Sequence, residues 1–142
     1  MKISEVMTRD VKTVRPDQTA REAAAFMLSA DAGAIPVTDG DQLMGMITDR
    51  DIAVRGVAEG RGPETPVREL MTDTLVTVGL DDNVDDVASR MSEAQVRRLP
   101  VVDSQRKLCG IVSLADLTYG SNDGAAKCAL DGISQPGGKH QQ

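Results

Sequence analysis

Leu43-Met44-Gly45-Met46-Ile47-Thr48-Asp49-Arg50-Asp51-Ile52 decides the fold. An apolar run passes through a glycine, reaches a hydroxyl, and offers a carboxylate three residues later. This reads as a buried strand ending at Thr48 with a helix starting just after it. The pattern returns as Leu108-Cys109-Gly110-Ile111-Val112-Ser113-Leu114-Ala115-Asp116-Leu117. A hydroxyl and an acid at i and i+3, twice, at two strand ends, is the main chemical signal in the chain.

Working outward, the repetition covers whole units. A shift of 64 places Glu5, Met7, Thr8, Thr13, Val14 and Asp17 on Glu69, Met71, Thr72, Thr77, Val78 and Asp81. Ala24, Met27, Ala30, Pro36, Val37 and Asp39 fall likewise on Ala88, Met91, Ala94, Pro100, Val101 and Asp103. One inserted residue then moves Leu43, Gly45 and Asp51 onto Leu108, Gly110 and Asp116. Ordered identity over this span marks a tandem duplication. The expected division is a first domain at residues 1–60, a connector at 61–66, a second domain at 67–122 and a flexible tail at 123–142.

Each unit reads β-α-β-β-α, an α+β (α/β sandwich) class. Residues 3–7 and 67–71 are expected as helical lead-ins, the second with Pro66 at its first position. Residues 11–14 and 75–78 are β-branched runs expected as strands. Thr19 with Glu22, and Asn83 with Asp86, are capping-box pairs. Behind them Ala20, Ala23, Ala24 and Met27, and Val84, Val87, Ala88 and Met91, form helical apolar stripes. Residues 34–38 and 98–102 are second strands, followed by turn residues 39–41 and 103–105 that make hairpins with the third strands. A short helix at residues 125–130 is expected before the tail. His140, the single histidine, lies in that tail.

Composition excludes several classes. The chain has 142 residues, enough for a sizeable core, and a net charge of -6, which disfavours duplex nucleic acid or an anionic membrane as partner. No apolar run approaches a membrane span, and the first residues lack the apolar core of a signal peptide, so a cytoplasmic location is expected. Two cysteines, Cys109 and Cys128, stand in unrelated contexts and suggest no disulfide framework. Cys109 is expected as a buried small hydrophobe. The methionines read as core filler, with no metal-binding cluster, and Phe26 lies beside its helix stripe. The acidic group Asp81, Asp82, Asp85 and Asp86 suits a helix N-terminus. There is no P-loop, Cys/His pair or Ser/His pair, so no enzyme is expected.

The paired units, with Ile-Pro-Val and Leu-Pro-Val at mid-unit and Gly-Met-Ile-Thr-Asp-Arg-Asp and Gly-Ile-Val-Ser-Leu-Ala-Asp at the end, resemble tandem CBS domains, a Bateman module. The order of motifs is similar to small stand-alone bacterial two-CBS proteins, hypoxic-response proteins among them. The resemblance implies repeats packed through their sheets with pseudo-twofold symmetry and two clefts between them. It also implies a disc-shaped homodimer and a regulatory role, without catalysis or a required cofactor. The implied ligand is an adenine nucleotide (AMP, ADP or ATP) or S-adenosylmethionine, signalling through the dimer or an unknown protein partner.

By position, the family's ribose-binding acid falls on Asp51 and Asp116, and the hydroxyl near phosphate on Thr48 and Ser113. Adenine contacts fall on Val11, Thr13, Ala34, Ile35 and Pro36, then on Leu75, Thr77, Arg98, Leu99 and Pro100. Arg50, Arg97 and Arg98 are candidate phosphate contacts. A second reading stays open: both Thr/Ser-x-x-Asp motifs are also capping boxes, worth about 1 kcal/mol each, in a ligand-free structural or stress-response interaction protein.

Overall fold

The structure, a computed structural model, describes residues 1–73 and 76–120. Two compact units emerge, and they are not the two sequence repeats. Residues 12–73 make one unit, which joins the first repeat to the lead-in of the second. Met1–Val11 and the described residues from 76 onward make the other. Each repeat core therefore carries the other repeat's lead-in segment.

In the unit of residues 12–73, α1 (Ala20–Ala30) precedes an antiparallel hairpin of β1 (Ala34–Asp39) and β2 (Gln42–Thr48). The hairpin turns at Gly40, whose φ of 62° favours glycine. A register shift between Val37 and Thr38 marks a bulge. Thr48 ends β2, and one α-turn, α2 (Asp49–Asp51), runs into a π-turn over Ile52–Gly56. Val14, Ala20, Ala23, Met27, Ile35, Val37, Ile47, Val67 and Leu70 form the core.

The other unit repeats the scheme. β3 (Val78–Gly79) pairs in parallel with β4 (Arg98–Val102), which pairs antiparallel with β5 (Leu108–Ser113). Between β3 and β4 lies α3 (Val84–Ala94), and α4 (Leu114–Gly120) follows β5. The core gathers Val84, Val87, Ala88 and Met91 with Val78, Leu99, Val101, Val112, Leu117 and, from the N-terminal segment, Ile3 and Met7.

The lead-ins dock in matching ways. Thr8 and Ile111 exchange backbone hydrogen bonds of 2.9 Å, as do Thr72 and Met46. A Cβ on Gly45 would stand 2.6 Å from the Thr72 carbonyl oxygen, and one on Gly110 would stand 2.6 Å from that of Thr8. The repeated glycine therefore exists because a second backbone crosses the strand there. The connector is tied down as well: Ala20 donates to the Thr65 carbonyl, Arg21 to Pro63 and Val67 to Gln18.

Several expectations need correction. The lead-ins are single 3-10 turns, Ile3–Glu5 and Val67–Glu69, and Pro66 occupies the N-cap at ψ 143°, one place before the position expected. Of residues 11–14 only Val14 bridges to a strand, opposite Val37, because its neighbours make no ladder. Ala24 is exposed; α1 buries only the narrower stripe of Ala20, Ala23 and Met27. Thr19 caps α1 by accepting from the Glu22 amide, but the Glu22 carboxylate turns to Gln18 and to the Thr19 hydroxyl, so the box is half made. Those bonds, that from Gln18 first, lower the Glu22 pKa. Asn83 accepts from Asp85 instead of Asp86. Cys109 is half-buried, packed at the edge of the core. Met7, Met27, Met46 and Met91 are core residues as expected, whereas Met44 is 40% exposed. The expected helix at 125–130, Cys128, His140 and Leu75 lie outside the described residues.

Candidate functional site

The hairpin register assembles most of the candidate residues within each unit. Ala34 stands opposite Thr48, and Pro36 opposite Met46, while Val14 bridges to Val37 and so brings Thr13 beside Pro36. In the other unit Arg98 stands opposite Ser113 and Pro100 opposite Ile111, and the Val78–Val101 pair sets Thr77 beside Pro100. Val11 is assigned to the unit of the second repeat, whereas the residues with which position grouped it belong to the other unit. The side chains of Ile35 and Leu99 belong to the cores of their units, so what they can offer a ligand is backbone.

At the end of β2, the Thr48 amide donates to Asp51 Oδ2 at 3.0 Å, and the Asp51 amide donates to Thr48 Oγ1 at 3.0 Å. At the end of β5, the Ser113 amide donates to Asp116 Oδ2 at 2.8 Å, and the Asp116 amide to Ser113 Oγ at 3.4 Å. These reciprocal bonds satisfy two amides that a helix start otherwise leaves open. They also fix each carboxylate in one pose with one oxygen committed. An ionised carboxylate has about four lone-pair positions, so each acid retains acceptor capacity at its other oxygen. Asp51 is only 14% exposed, which makes that capacity directional.

The arginines divide. Arg50 is exposed, with its backbone amide on the Asp49 carboxylate at 2.8 Å, and its side chain makes no ion pair among the described residues. Arg97 is exposed and its carbonyl accepts from Leu114; Arg98 is half-buried beside Ser113. The guanidinium nearest Asp51 is Arg55, with Nε 4.0 Å from Asp51 Oδ1. Sequence reasoning missed it, although an acid followed four residues later by arginine on a helix is a readable pairing signal.

Comparison with known proteins bears on this geometry. The CBS domain family matches residues 3–56 and 67–121. The chain belongs to the CBS domain family. It is 46% identical over 134 residues to the CBS domain-containing protein YhcV of Bacillus subtilis, covering 93% of this chain and 94% of that one. A crystal structure of Hypoxic Response Protein I with two coordinated zinc ions superposes with a TM-score of 0.78 at 35% identity, over 85% of this chain and 99% of that one. CBSX2 in complex with AMP matches at TM-score 0.75 and 25% identity, over 84% and 94%. The CBS domain pair of MJ0100, in complex with 5-methylthioadenosine and S-adenosyl-L-methionine, matches at TM-score 0.73 and 28% identity, over 84% and 94%. The family is thus one whose domain pairs include adenosyl-ligand complexes. Among the described residues of this chain, no three His, Cys, Asp or Glu side chains come close enough to hold a metal ion. No described helix is long and apolar enough to cross a membrane.

Proposed function

We propose that this CBS pair is a non-catalytic regulatory module of the cytoplasm that binds an adenosine-containing ligand at the strand-end turns. Asp51 and Asp116 accept the ribose hydroxyls, and the turn amides with Thr48 and Ser113 meet the phosphate or its counterpart. The backbone of Ile35 and Leu99, with Ala34, Pro36, Thr13, Pro100 and Thr77, contacts the adenine. Arg98 serves the second turn electrostatically, Arg97 and Arg50 from the periphery. Signalling passes through a protein partner or a homodimer, the ligand acting by its different affinity for two arrangements.

The observation that carries this reading is the carboxylate fixed through one oxygen by a backbone amide at equivalent places in both repeats, with acceptor capacity left at its other oxygen. The complexes of CBSX2 with AMP and of the MJ0100 pair with S-adenosyl-L-methionine support the ligand class. The completeness of the capping geometry favours a second reading, in which the acids serve only as caps. Calorimetric titration with AMP, ADP, ATP and S-adenosylmethionine separates the two. Micromolar binding lost in Asp51→Ala or Asp116→Ala is expected. Silence from every ligand, with both variants folded and about 1 kcal/mol less stable, would leave caps alone.

A further inference from the structure

Arg55 makes three contacts that have no counterpart among the described residues of the second repeat. Its Nε faces Asp51 Oδ1 at 4.0 Å, and its terminal nitrogen donates to the carbonyls of Met71 at 2.9 Å and Leu70 at 3.3 Å. One residue further on, Thr72 exchanges two 2.9 Å backbone bonds with Met46 on β2. Two residues along β2, the Thr48 amide returns to Asp51 Oδ2. The contacts therefore form a closed ring: Asp51, Arg55, residues 70–72, Met46, Thr48, Asp51. The wide π-turn over Ile52–Gly56 places Arg55 in this ring, and such turns recur at functional sites. The residue four beyond Asp116 is Gly120, which has no side chain to close an equivalent ring.

We infer that Arg55 is a positioning residue that ties the Asp51 carboxylate to residues 70–72, so that the first repeat's turn reports its state to the end of the second lead-in. The ligand consequence rests on the proposed function: a ribose cis-diol drawn to Asp51 Oδ1 competes with Arg55 for the same oxygen. Arg55 then loses the anchor that aims it at the Leu70 and Met71 carbonyls. A planar fork is suited to this double task, whereas a lysine ammonium is a single point.

The test is a double-mutant cycle read by amide hydrogen exchange on the full chain. Asp51→Asn retains an oxygen for the Thr48 amide but presents an amide group to Arg55. It should speed exchange at Met46 and Thr72 by about fivefold, the low end of ordinary coupling between sites. Arg55→Ala should speed the same amides, Arg55→Lys should do so partially, and adding Asp51→Asn to Arg55→Ala should change nothing further. The equivalent amides of Thr8 and Ile111 should stay unmoved. Additive effects in the cycle, no effect of Arg55→Ala, or equal acceleration at Thr8 and Ile111 would each overturn the inference. AMP should speed Met46 and Thr72 in the wild type and not in Arg55→Ala. If calorimetry shows no AMP binding, the proposed function fails while the ligand-free cycle still decides the tether.

Discussion

Gly45→Ala tests the docking of the exchanged lead-in directly. The added Cβ would lie 2.6 Å from the Thr72 carbonyl oxygen and 3.1 Å from Met71 Sδ. A carbon and a carbonyl oxygen settle at roughly 3.3 Å at closest, so the Thr72 carbonyl must retreat by about 0.7 Å. Its bond from the Met46 amide, 2.9 Å long, has no such slack and is lost. Overpacking costs about 1–3 kcal/mol and the lost bond about 1 kcal/mol. Against this, alanine in a strand recovers about 0.5–1 kcal/mol of glycine's entropy cost. The net destabilisation is about 1–3 kcal/mol, read as a lower urea midpoint at unchanged m-value. Gly110→Ala should behave alike, since its Cβ would meet the Thr8 oxygen at 2.6 Å and Met7 Sδ at 2.9 Å. Gly79→Ala is the control: its nearest neighbour is Asp82 Oδ1 at 3.5 Å, an ordinary contact. A Gly45→Ala midpoint equal to that of Gly79→Ala would refute the crossing of residues 71–72 over β2.

Three further outcomes follow from other parts of the structure. Gln95, the αL residue closing α3 at φ 55°, should be improved by Gln95→Gly, raising stability by about 1 kcal/mol in thermal unfolding. Leu70 is fully buried in the core of residues 12–73, and Leu70→Ala should cost about 2–5 kcal/mol in urea unfolding, although the residue belongs to the second repeat in sequence. Burial raises the Cys109 thiol pKa, with the Asp103 charge adding to it. The fold therefore holds the proton, and Cys109 contributes less to stability as pH rises through the thiol's ordinary range. In a Cys128→Ser background, iodoacetamide at pH 8 should alkylate Cys109 more slowly in the folded than in the urea-unfolded protein.

The duplication was legible because identical residues do identical work. Gly45 and Gly110 admit a crossing backbone, and Thr48–Asp51 and Ser113–Asp116 cap the turns after β2 and β5. The exchange of lead-ins was not legible for the same reason. Residues 5–8 read Glu-Val-Met-Thr and residues 69–72 read Glu-Leu-Met-Thr, so either segment suits either repeat core, and only the folded chain chooses. The left-handed ends of α1 and α3 fall on Asp31 and Gln95, neither of them the glycine that announces such a cap. Arg55 was passed over for Arg50, which is nearer in sequence but exposed; the i,i+4 spacing of Asp51 and Arg55 was the signal to read, although the π-turn that carries Arg55 was not itself legible. Ala34 lies opposite Thr48, and Thr13 beside Pro36, because strand register sets these neighbours.

Amide chemical-shift mapping of the 15N-labelled protein during titration with AMP tests the central claim most directly. The account predicts that shifts concentrate at Ile35, Thr48, Asp49 and Asp51, or at Leu99, Ser113 and Asp116, or at both sets, while Gly40 and Asp41 at the far end of the hairpin stay still. Shifts centred on the hairpin turns, or none with either AMP or S-adenosylmethionine at millimolar concentration, would contradict it and leave the two carboxylates as helix caps.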